Sequence, residues 1–244
     1  MRLHFLGTGG YHPNQRRHTA CLMLPEIGVI LDAGSSFFRV PERLRTSEIE
    51  IFLTHAHLDH IVGLTYLLVP MLTGQLQRVV VHAAEPHLNA VREHLFAPQL
   101  FPVLPAFEFK VLTREIAIPG GGVVTHFPLK HPGGSVGYRL NWPDRGLAYV
   151  TDTTVDASYL SFIRDVDVLV HECYFCDSMS EWSEKTGHSN TTPVATLARD
   201  AGVGRLFLTH VDPQRPDDDP VGLETARGIF PRTELAEDLM EIEF

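Results

Sequence analysis

A histidine-rich segment constrains this chain more than any other feature of its sequence. The segment THAHLDH at residues 54–60 follows directly after the apolar run IEIFL at residues 49–53, which predicts a buried strand that ends in potential metal ligands. Alternate side chains of an extended segment point the same way, so His55 and His57 can face one point. The turn that follows can carry Asp59 and His60 towards a second point. Imidazole and carboxylate ligands suit zinc, manganese or iron, so the segment predicts a metal site with two centres.

The alternative for this segment is a solvated turn that binds no metal. The order and spacing of its ligands, and the apolar stretch IVGL at residues 61–64 directly after it, argue against that alternative. Most other histidines lie in strand or helix patterns without matching partners, and we expect them to be structural. His12 and His18 flank the pair Arg16 and Arg17 in a loop near the amino terminus, which can be part of a substrate entrance or a plain solvated loop.

Composition limits the class of protein. A chain of 244 residues is long enough for one α/β domain that covers residues 1–244. The formal net charge of -10 predicts no general attraction to nucleic acid. Three cysteines cannot form a secreted disulfide framework, and we expect the CYFC segment at residues 173–176 to be buried filler rather than a redox or zinc site. With no signal-like segment and no apolar run of membrane-spanning length, the expected location is the cytoplasm, away from membranes.

Apolar runs with strand character alternate with helical patterns along two halves of similar build. Helices on the outer faces of two packed sheets predict an α/β fold, a four-layer αββα sandwich. The loop RPDDDP at residues 215–220 is expected to be solvated, with a calcium site as the alternative. The predicted strands cover residues 3–6, 19–24, 29–32, 50–54, 79–82, 107–111, 123–128, 137–142, 147–151, 166–172, 205–209, 233–236 and 240–244, and the predicted helices cover residues 60–72, 85–95, 159–164, 192–201 and 220–230.

The HxHxDH pattern at residues 55–60 resembles the metallo-β-lactamase superfamily, and several other segments resemble its ribonuclease Z branch. In chain order these segments are LGTGG at residues 6–10 with Pro13, Arg16 and Thr19 after it, LDAG at 31–34, KHP at 130–132, VTDT at 150–153, HECYF at 171–175, GHSN at 187–190 and LTH at 208–210. Each is weak by itself, but their order along the chain makes the set specific. The resemblance implies a four-layer αββα sandwich of the metallo-β-lactamase type.

The resemblance also implies a complete ligand set for two divalent metal ions, zinc first, with manganese or iron as alternatives. Two ions about 3.5–4 Å apart would share a bridging hydroxide that attacks the substrate. The implied ligands are His55, His57 and His131 at the first centre, Asp59, His60 and His210 at the second, and Asp152 as the bridge between them.

Five residues are expected either to take part in catalysis or to support the metal ligands. Asp59 would also orient the nucleophile, and His188 would donate to a developing oxyanion or to the leaving oxygen. Asp32, His171 and Glu172 are expected to support the ligands through hydrogen bonds rather than to bind metal. For Asp32 and His171, a direct role stays open as the alternative.

The chain departs from the ribonuclease Z pattern in two places. Members of that branch carry a long tRNA-binding arm between the ligands that correspond to His131 and Asp152, whereas only 20 residues separate the two here. Those residues predict a single hairpin with its turn at residues 143–146, which leaves no room for an arm. At Tyr149, relatives have an acidic residue thought to help to move protons.

A retained site without the arm favours a phosphodiesterase that acts on a small-molecule substrate, such as a cyclic phosphodiester, or on a short nucleic-acid end. One alternative is a tRNA 3′-processing endonuclease. A thioester or lactone hydrolase is another, because the same site can attack a carbonyl carbon. A non-catalytic metal-binding sensor is the third, although the complete ligand set argues against it. Relatives of this type are often dimers, so a homodimer is also open.

Overall fold

Two seven-stranded sheets pack face to face in the computed structural model, which describes residues 1–215 and 217–244. The first sheet has the order β14-β1-β2-β3-β4-β5-β6 and the second β13-β12-β11-β10-β9-β8-β7. The strands are β1 Arg2–Gly7, β2 Cys21–Leu24, β3 Val29–Leu31, β4 Glu48–Phe52, β5 Arg78–Ala83, β6 Glu108–Val111, β7 Ile116–Ile118, β8 Gly122–Leu129, β9 Ser135–Trp142, β10 Arg145–Val150, β11 Val168–Glu172, β12 Arg205–Thr209, β13 Thr233–Leu235 and β14 Met240–Glu243.

Each sheet combines an antiparallel part with a parallel part. In the first sheet β3 to β6 are parallel, and in the second β10 to β13 are parallel. Strands β8, β9 and β10 form an antiparallel meander, so β8 runs in the same direction as β10. The carboxyl ends of these strands therefore lie at one edge of each sheet, where loops can collect a site.

Helices cover the outer faces of both sheets. The α-helices are α1 Leu58–Ile61, α2 Leu68–Leu72, α3 Glu85–Ala90, α4 Leu160–Ile163, α5 Ser180–Thr186, α6 Thr191–Ala201 and α7 Leu223–Ile229. Short 3₁₀ segments lie at Ser35–Arg39, Val62–Leu67, Ala157–Tyr159 and Asp177–Met179, and a wider π-helical turn lies at Val91–Leu95. None of the helices among residues 1–215 and 217–244 combines the length and the apolar character needed to cross a lipid bilayer.

Successive residues of each strand point to opposite faces of the sheet, so the apolar side chains form three layers. In β12, Phe207 points between the two sheets, whereas Leu206 and Leu208 point outwards beneath the helices of the second sheet. In β4, Phe52 likewise faces the other sheet, while Ile51 faces the helices of the first sheet. One apolar layer between the sheets and one beneath each helical layer make up the four-layer αββα sandwich that the sequence predicts.

The helix predicted at residues 60–72 is broken into α1, the 3₁₀ segment Val62–Leu67 and α2. The amide of Gly63 donates to the carbonyl of Ala33, at 2.8 Å, instead of to a carbonyl in its own helix. A Cβ atom at Gly63 would clash with Phe37, so only glycine permits this close approach. The tertiary contact overrides the helical pattern at this point.

Other differences from the sequence prediction are small. The helix predicted at residues 85–95 begins as α3 and ends in the wider turn Val91–Leu95. Strand β7 and helix α5 were not predicted. The hairpin of β9 and β10 is confirmed, because Trp142 pairs with Arg145 across a two-residue turn. The predicted loop at residues 215–220 contains Pro216, which lies outside the described residues.

Candidate metal centre and active site

The predicted site residues follow strands that end at the same edge of the sandwich. His55 comes after β4, His131 after β8, Asp152 after β10 and His210 after β12. Their side chains meet there, together with those of α1. The sequence places a predicted ligand within three residues of the end of each of these four strands, and the common direction of the strands brings those ligands together.

Left-handed backbone conformations turn three acidic or histidine residues at strand ends towards the site. Asp32 has a φ of 60°, Asp152 a φ of 48° and His210 a φ of 55°. Non-glycine residues seldom adopt this conformation, and such strain is typical of functional sites because surrounding contacts must maintain it. These three strained residues carry polar side chains into the site.

Among the described residues, two clusters of potential ligand atoms match the predicted centres, and a third group joins His188 to Asp152 and His210. In each cluster the ligand atoms lie within 4.8 Å of one another. The first consists of His55, His57, His131 and Asp152, and the second consists of Asp59, His60 and His210.

Asp152 faces both clusters with different oxygens. Its Oδ1 lies 3.2 Å from Nε2 of His60 and 3.2 Å from Nε2 of His210. Its Oδ2 lies 3.6 Å from Nε2 of His55 and 3.7 Å from Nε2 of His131. A carboxylate with this placement can offer one oxygen to each of two cations.

Electrostatics within the clusters favour added positive charge. Burial by itself would lower the pKa of His60, but Asp152, Asp59 and Asp32 together raise that pKa well above its usual range. Burial would raise the pKa of Asp152, yet His210, His60 and His55 hold it well below its usual range. Asp152 therefore keeps its negative charge although it is buried. A bound cation can balance that charge in place of a proton on a neighbouring histidine.

The ring nitrogens of the histidines are also suited to a metal. Nδ1 of His60 donates to Oδ2 of Asp32 at 2.8 Å, and Nδ1 of His131 donates to the carbonyl of Gly187 at 2.9 Å. A proton on Nδ1 leaves Nε2 as the lone-pair nitrogen that a metal binds. Nε2 of His55 is buried without a hydrogen-bond partner among the described residues, as expected of a nitrogen that binds a metal ion. The residues therefore fit a divalent metal.

Asp32 lies at the centre of a buried hydrogen-bond network behind the ligands. Its carboxylate accepts from the amide and hydroxyl of Thr54, from His60 and from the hydroxyl of Tyr149 at 3.0 Å. Burial first, and then the charges of Asp32 and Asp152, raise the pKa of Tyr149, so its hydroxyl stays protonated and donates. Tyr149 thus supports the ligand loop through its hydrogen bond to Asp32.

We expect Tyr149→Phe to lower the free energy of unfolding of the metal-free protein by about 2 kcal/mol, because it removes a hydrogen bond to a buried carboxylate. A matched control is Tyr138→Phe, since the buried hydroxyl of Tyr138 donates to a neutral acceptor, the carbonyl of Leu53. That loss should be about 1 kcal/mol. Urea unfolding in the presence of a chelator measures both, and equal losses would contradict the charged-acceptor role of Asp32.

Glu172 is fully buried beside the ligands and holds His188. Its Oε1 accepts from the amide of Thr153 at 2.8 Å and from Nδ1 of His188 at 3.1 Å. Its Oε2 accepts from the amides of Tyr174 and Ser189. Burial would lower the pKa of His188, but Glu172 outweighs it and raises that pKa to about 9. His188 can therefore carry a proton near neutral pH.

His188 also lies close to the ligands. One of its ring nitrogens is within 4.8 Å of ligand atoms of Asp152 and His210. Its ring stacks on that of Tyr174, with centroids 4.6 Å apart. A protonated imidazole at this place can donate to an oxygen of a bound substrate.

The structure corrects the expectation for His171. Its Nε2 lies 2.9 Å from the hydroxyl of Tyr159, and its Nδ1 donates to the carbonyl of Glu172. Neighbouring strand residues point to opposite faces, so Glu172 faces the site while His171 faces the layer beneath the helices. Among the described residues, the side chain of His171 bonds to Tyr159 and to the carbonyl of Glu172 and to none of the predicted ligands.

Two tyrosines at the site were not singled out from the sequence. The amide of Tyr11 donates to Oδ2 of Asp59 at 2.8 Å, and the ring of Tyr174 lies 5.8 Å from that of His210. Tyr174 comes two residues after Glu172 in the segment HECYF, so its position near the site could have been inferred from the sequence. The contact of Tyr11 depends on its φ of 58°, which no sequence pattern shows.

A cavity of about 720 Å³ opens beside the first cluster. His131, Gly187 and Ser189 line it on the side of the ligands, and Lys130 and Lys185 bring positive charge to it. The hydroxyl of Thr154, also in its lining, is buried without a hydrogen-bond partner among the described residues. The cavity therefore continues the site beyond the ligands and can take a polar group of a substrate.

An αββα sandwich that holds two clusters of histidine and carboxylate ligands at strand ends defines a metal-dependent hydrolase. The family model of the beta-lactamase superfamily domain matches residues 28–211, and the chain belongs to this superfamily. Within it, the chain resembles ribonuclease Z.

Similarity to ribonuclease Z extends over nearly the whole chain. Ribonuclease Z of Methanosarcina acetivorans is 27% identical, over 100% of this chain and 98% of the relative. Ribonuclease Z of Salinibacter ruber is 30% identical, over 98% of this chain and 92% of the relative. The alignment with the Methanosarcina protein spans 305 positions against the 244 residues of this chain, so the relative contains residues without a counterpart here.

A solved structure agrees with the fold. The metallo-beta-lactamase fold protein YhfI from Bacillus subtilis superimposes with a TM-score of 0.80 over 99% of both chains, at 19% identity. At that identity the likeness concerns the fold alone. The superfamily fold implies divalent metal ions, typically zinc, which the two ligand clusters of this chain are suited to bind.

Proposed function

We propose that the protein, as one hydrolase domain of residues 1–244, is a phosphodiesterase that acts on a small or cyclic phosphodiester or on a short RNA end. One observation carries the proposal: Asp152 directs its two oxygens towards two ligand clusters, and His188, held by Glu172, lies directly beside them. This arrangement combines sites for two cations with a proton donor, a combination that suits phosphodiester hydrolysis.

The proposed metal ligands are those in the two clusters. His55, His57 and His131 would hold one divalent ion, Asp59, His60 and His210 a second, and Asp152 would serve both, with zinc the favoured metal. When bound, the ions supply activation of water and neutralisation of phosphoryl charge.

The protein's own side chains supply the remaining chemistry. The amide of Tyr11 fixes one oxygen of Asp59, so this carboxylate can orient an attacking water. Nδ1 of His188 is held by Glu172, which leaves Nε2 to donate a proton to the leaving oxygen. In this proposal Asp59 and His188 are the catalytic residues.

Substrate size is inferred from the connection between His131 and Asp152. The hairpin of β9 and β10 closes this connection with a two-residue turn, so no arm can extend from it to hold a large RNA. The cavity beside His131, at about 720 Å³, is in the range that accommodates a small ligand. The net charge of -10 also disfavours broad contact with an RNA backbone.

A second candidate is a tRNA 3′-processing endonuclease. The relatives named ribonuclease Z favour it, since their similarity covers nearly all of this chain. Against it is the missing arm, without which a tRNA precursor would have to bind through another surface.

Activity assays on metal-loaded protein can separate these functions. We expect turnover of bis(p-nitrophenyl) phosphate and of cyclic nucleotides. We expect kcat/KM for site-specific cleavage of a tRNA precursor to be at least about tenfold lower than that of a ribonuclease Z with an arm, because loss of the arm's contacts removes more than about 1.4 kcal/mol of binding free energy. Efficient 3′ cleavage of the precursor would instead support the endonuclease. Hydrolysis of a lactone or thioester alone would overturn both functions, and so would binding of metal without any hydrolysis.

A further inference from the structure

A second cavity, of about 270 Å³, lies on the second sheet away from the ligand clusters. Arg205 begins β12 and Thr233 begins β13, whereas His210 follows the end of β12. The five residues of β12 span about 17 Å, so the cavity lies at the opposite edge of the sheet from the metal ligands. The lining of this arginine cavity consists of Arg205, Arg227, Pro231, Arg232, Thr233 and Glu234.

The arginine cavity is positively charged in a chain that is acidic overall. Three of its lining residues are arginines and one is a glutamate, whereas the whole chain has 20 lysines and arginines against 30 aspartates and glutamates. The arginines come from three places in the chain, which are β12, α7 and the connection between α7 and β13. Like charges gathered around one concave surface repel one another, and an anion bound among them would relieve that repulsion.

Neighbouring groups hold the three guanidinium groups in place. Cζ of Arg205 lies 4.7 Å from the ring centroid of Phe207, and Cζ of Arg232 lies 5.8 Å from that of Phe230. Nε of Arg227 donates to the carbonyl of the first residue of β13 at 3.1 Å. A guanidinium group whose orientation is already fixed loses less conformational entropy when it binds an anion.

These arginines keep donors for a ligand. Nη2 of Arg205 donates to Glu234 at 2.8 Å. Nη1 of Arg227 donates to Glu224 at 3.0 Å, and the side chain of Glu224 is 84% exposed. Such solvent-exposed ion pairs are weak, so a bound anion can compete with them. Arg232 has no carboxylate partner among the described residues. Because each guanidinium group has five N–H donors, the cavity offers more donors than these two carboxylates use.

We propose that the arginine cavity binds the phosphate group of a small ligand, at a site separate from the metal centre. The planar guanidinium group of arginine can form two parallel hydrogen bonds to the oxygens of one phosphate. The cavity volume lies just below the range of pockets that take drug-sized molecules, so the ligand is inorganic phosphate or a small phosphate monoester. The proposal is independent of the proposed phosphodiesterase function, since none of the lining residues belongs to that site.

Titration of the metal-loaded protein with inorganic phosphate, followed through the NMR signals of the arginine Nε–H groups, tests this site. Each signal reports on one guanidinium group, so binding in the arginine cavity is distinguished from binding at the metal centre. We expect the signals of Arg205, Arg227 and Arg232 to shift together and to saturate, with a dissociation constant on the order of 1 mM. Sodium chloride at the same ionic strength should leave them nearly unchanged. Titration with ribose 5-phosphate shows whether a monoester binds more tightly than the free ion.

Two variants complete the test. Arg232→Gln should weaken the binding seen at Arg205 and Arg227 by at least about tenfold, because it removes a charged hydrogen-bond donor. Arg199→Gln, which replaces an exposed arginine of α6 outside the cavity, is the matched control and should leave the affinity unchanged. Both variants should melt at the wild-type temperature, since both side chains are exposed. Shifts that do not saturate, equal shifts at Arg199 or with chloride, or an unchanged affinity in Arg232→Gln would overturn the site.

Discussion

Asp152→Ala is expected to lower the metal content to less than one ion per chain and the turnover of a phosphodiester by at least about a thousandfold. The carboxylate of Asp152 is buried and directs one oxygen to each ligand cluster. In the proposed site for two ions, its removal would leave two cations facing each other with less negative charge between them, so neither would be held well. The metal ions account for several kcal/mol of transition-state stabilisation, which sets the size of the loss.

Elemental analysis after gel filtration measures the metal content, and melting curves with and without a chelator measure its contribution to stability. The wild type should melt at a lower temperature with chelator, because metal binds the folded state, and Asp152→Ala should show little difference. Asp144→Ala is the matched control, since it removes an exposed carboxylate in the turn after β9. An Asp152→Ala protein with full metal content would show that this carboxylate does not hold the ions.

The part of the site that the sequence could predict is the part encoded next to apolar strands. The segment at residues 54–60 contains four ligands directly after β4, and its spacing alone indicates two centres. His131 and His210 are single histidines, and only their resemblance to superfamily motifs identified them. The structure brings all seven predicted ligands together because the carboxyl ends of the strands lie at one edge.

What the sequence did not predict depends on tertiary contacts and on backbone conformation. The hydrogen bond from the amide of Gly63 to the carbonyl of Ala33 interrupts the helix in a segment whose apolar pattern suits a continuous helix. The role of the Tyr11 amide requires a left-handed φ that tyrosine rarely adopts. His171 is a different case, because its orientation could have been inferred. Two neighbours in a strand cannot face the same side, so only one of His171 and Glu172 could reach the site.

His188→Ala is expected to reduce the turnover of an alkyl phosphodiester by about 10²–10⁴-fold, the usual effect of losing a positioned proton donor. The metal content should stay at the wild-type value, because His188 is not assigned to either centre. Glu172 keeps three backbone amides as donors in the variant, so the fold around it should persist. His126→Ala, which removes a half-buried histidine from β8, is the control for the loss of an imidazole elsewhere.

The identity of the leaving group separates a proton donor from a residue that only orders the loop. A nitrophenolate leaves readily without a proton, so the defect of His188→Ala should be much smaller on bis(p-nitrophenyl) phosphate than on the alkyl diester. Loss of loop order would slow both substrates alike and would also lower the melting temperature. If His188→Ala hydrolyses both diesters as fast as the wild type, the assignment of His188 is wrong, and the pair of His188 and Glu172 has only a structural role beside the ligands.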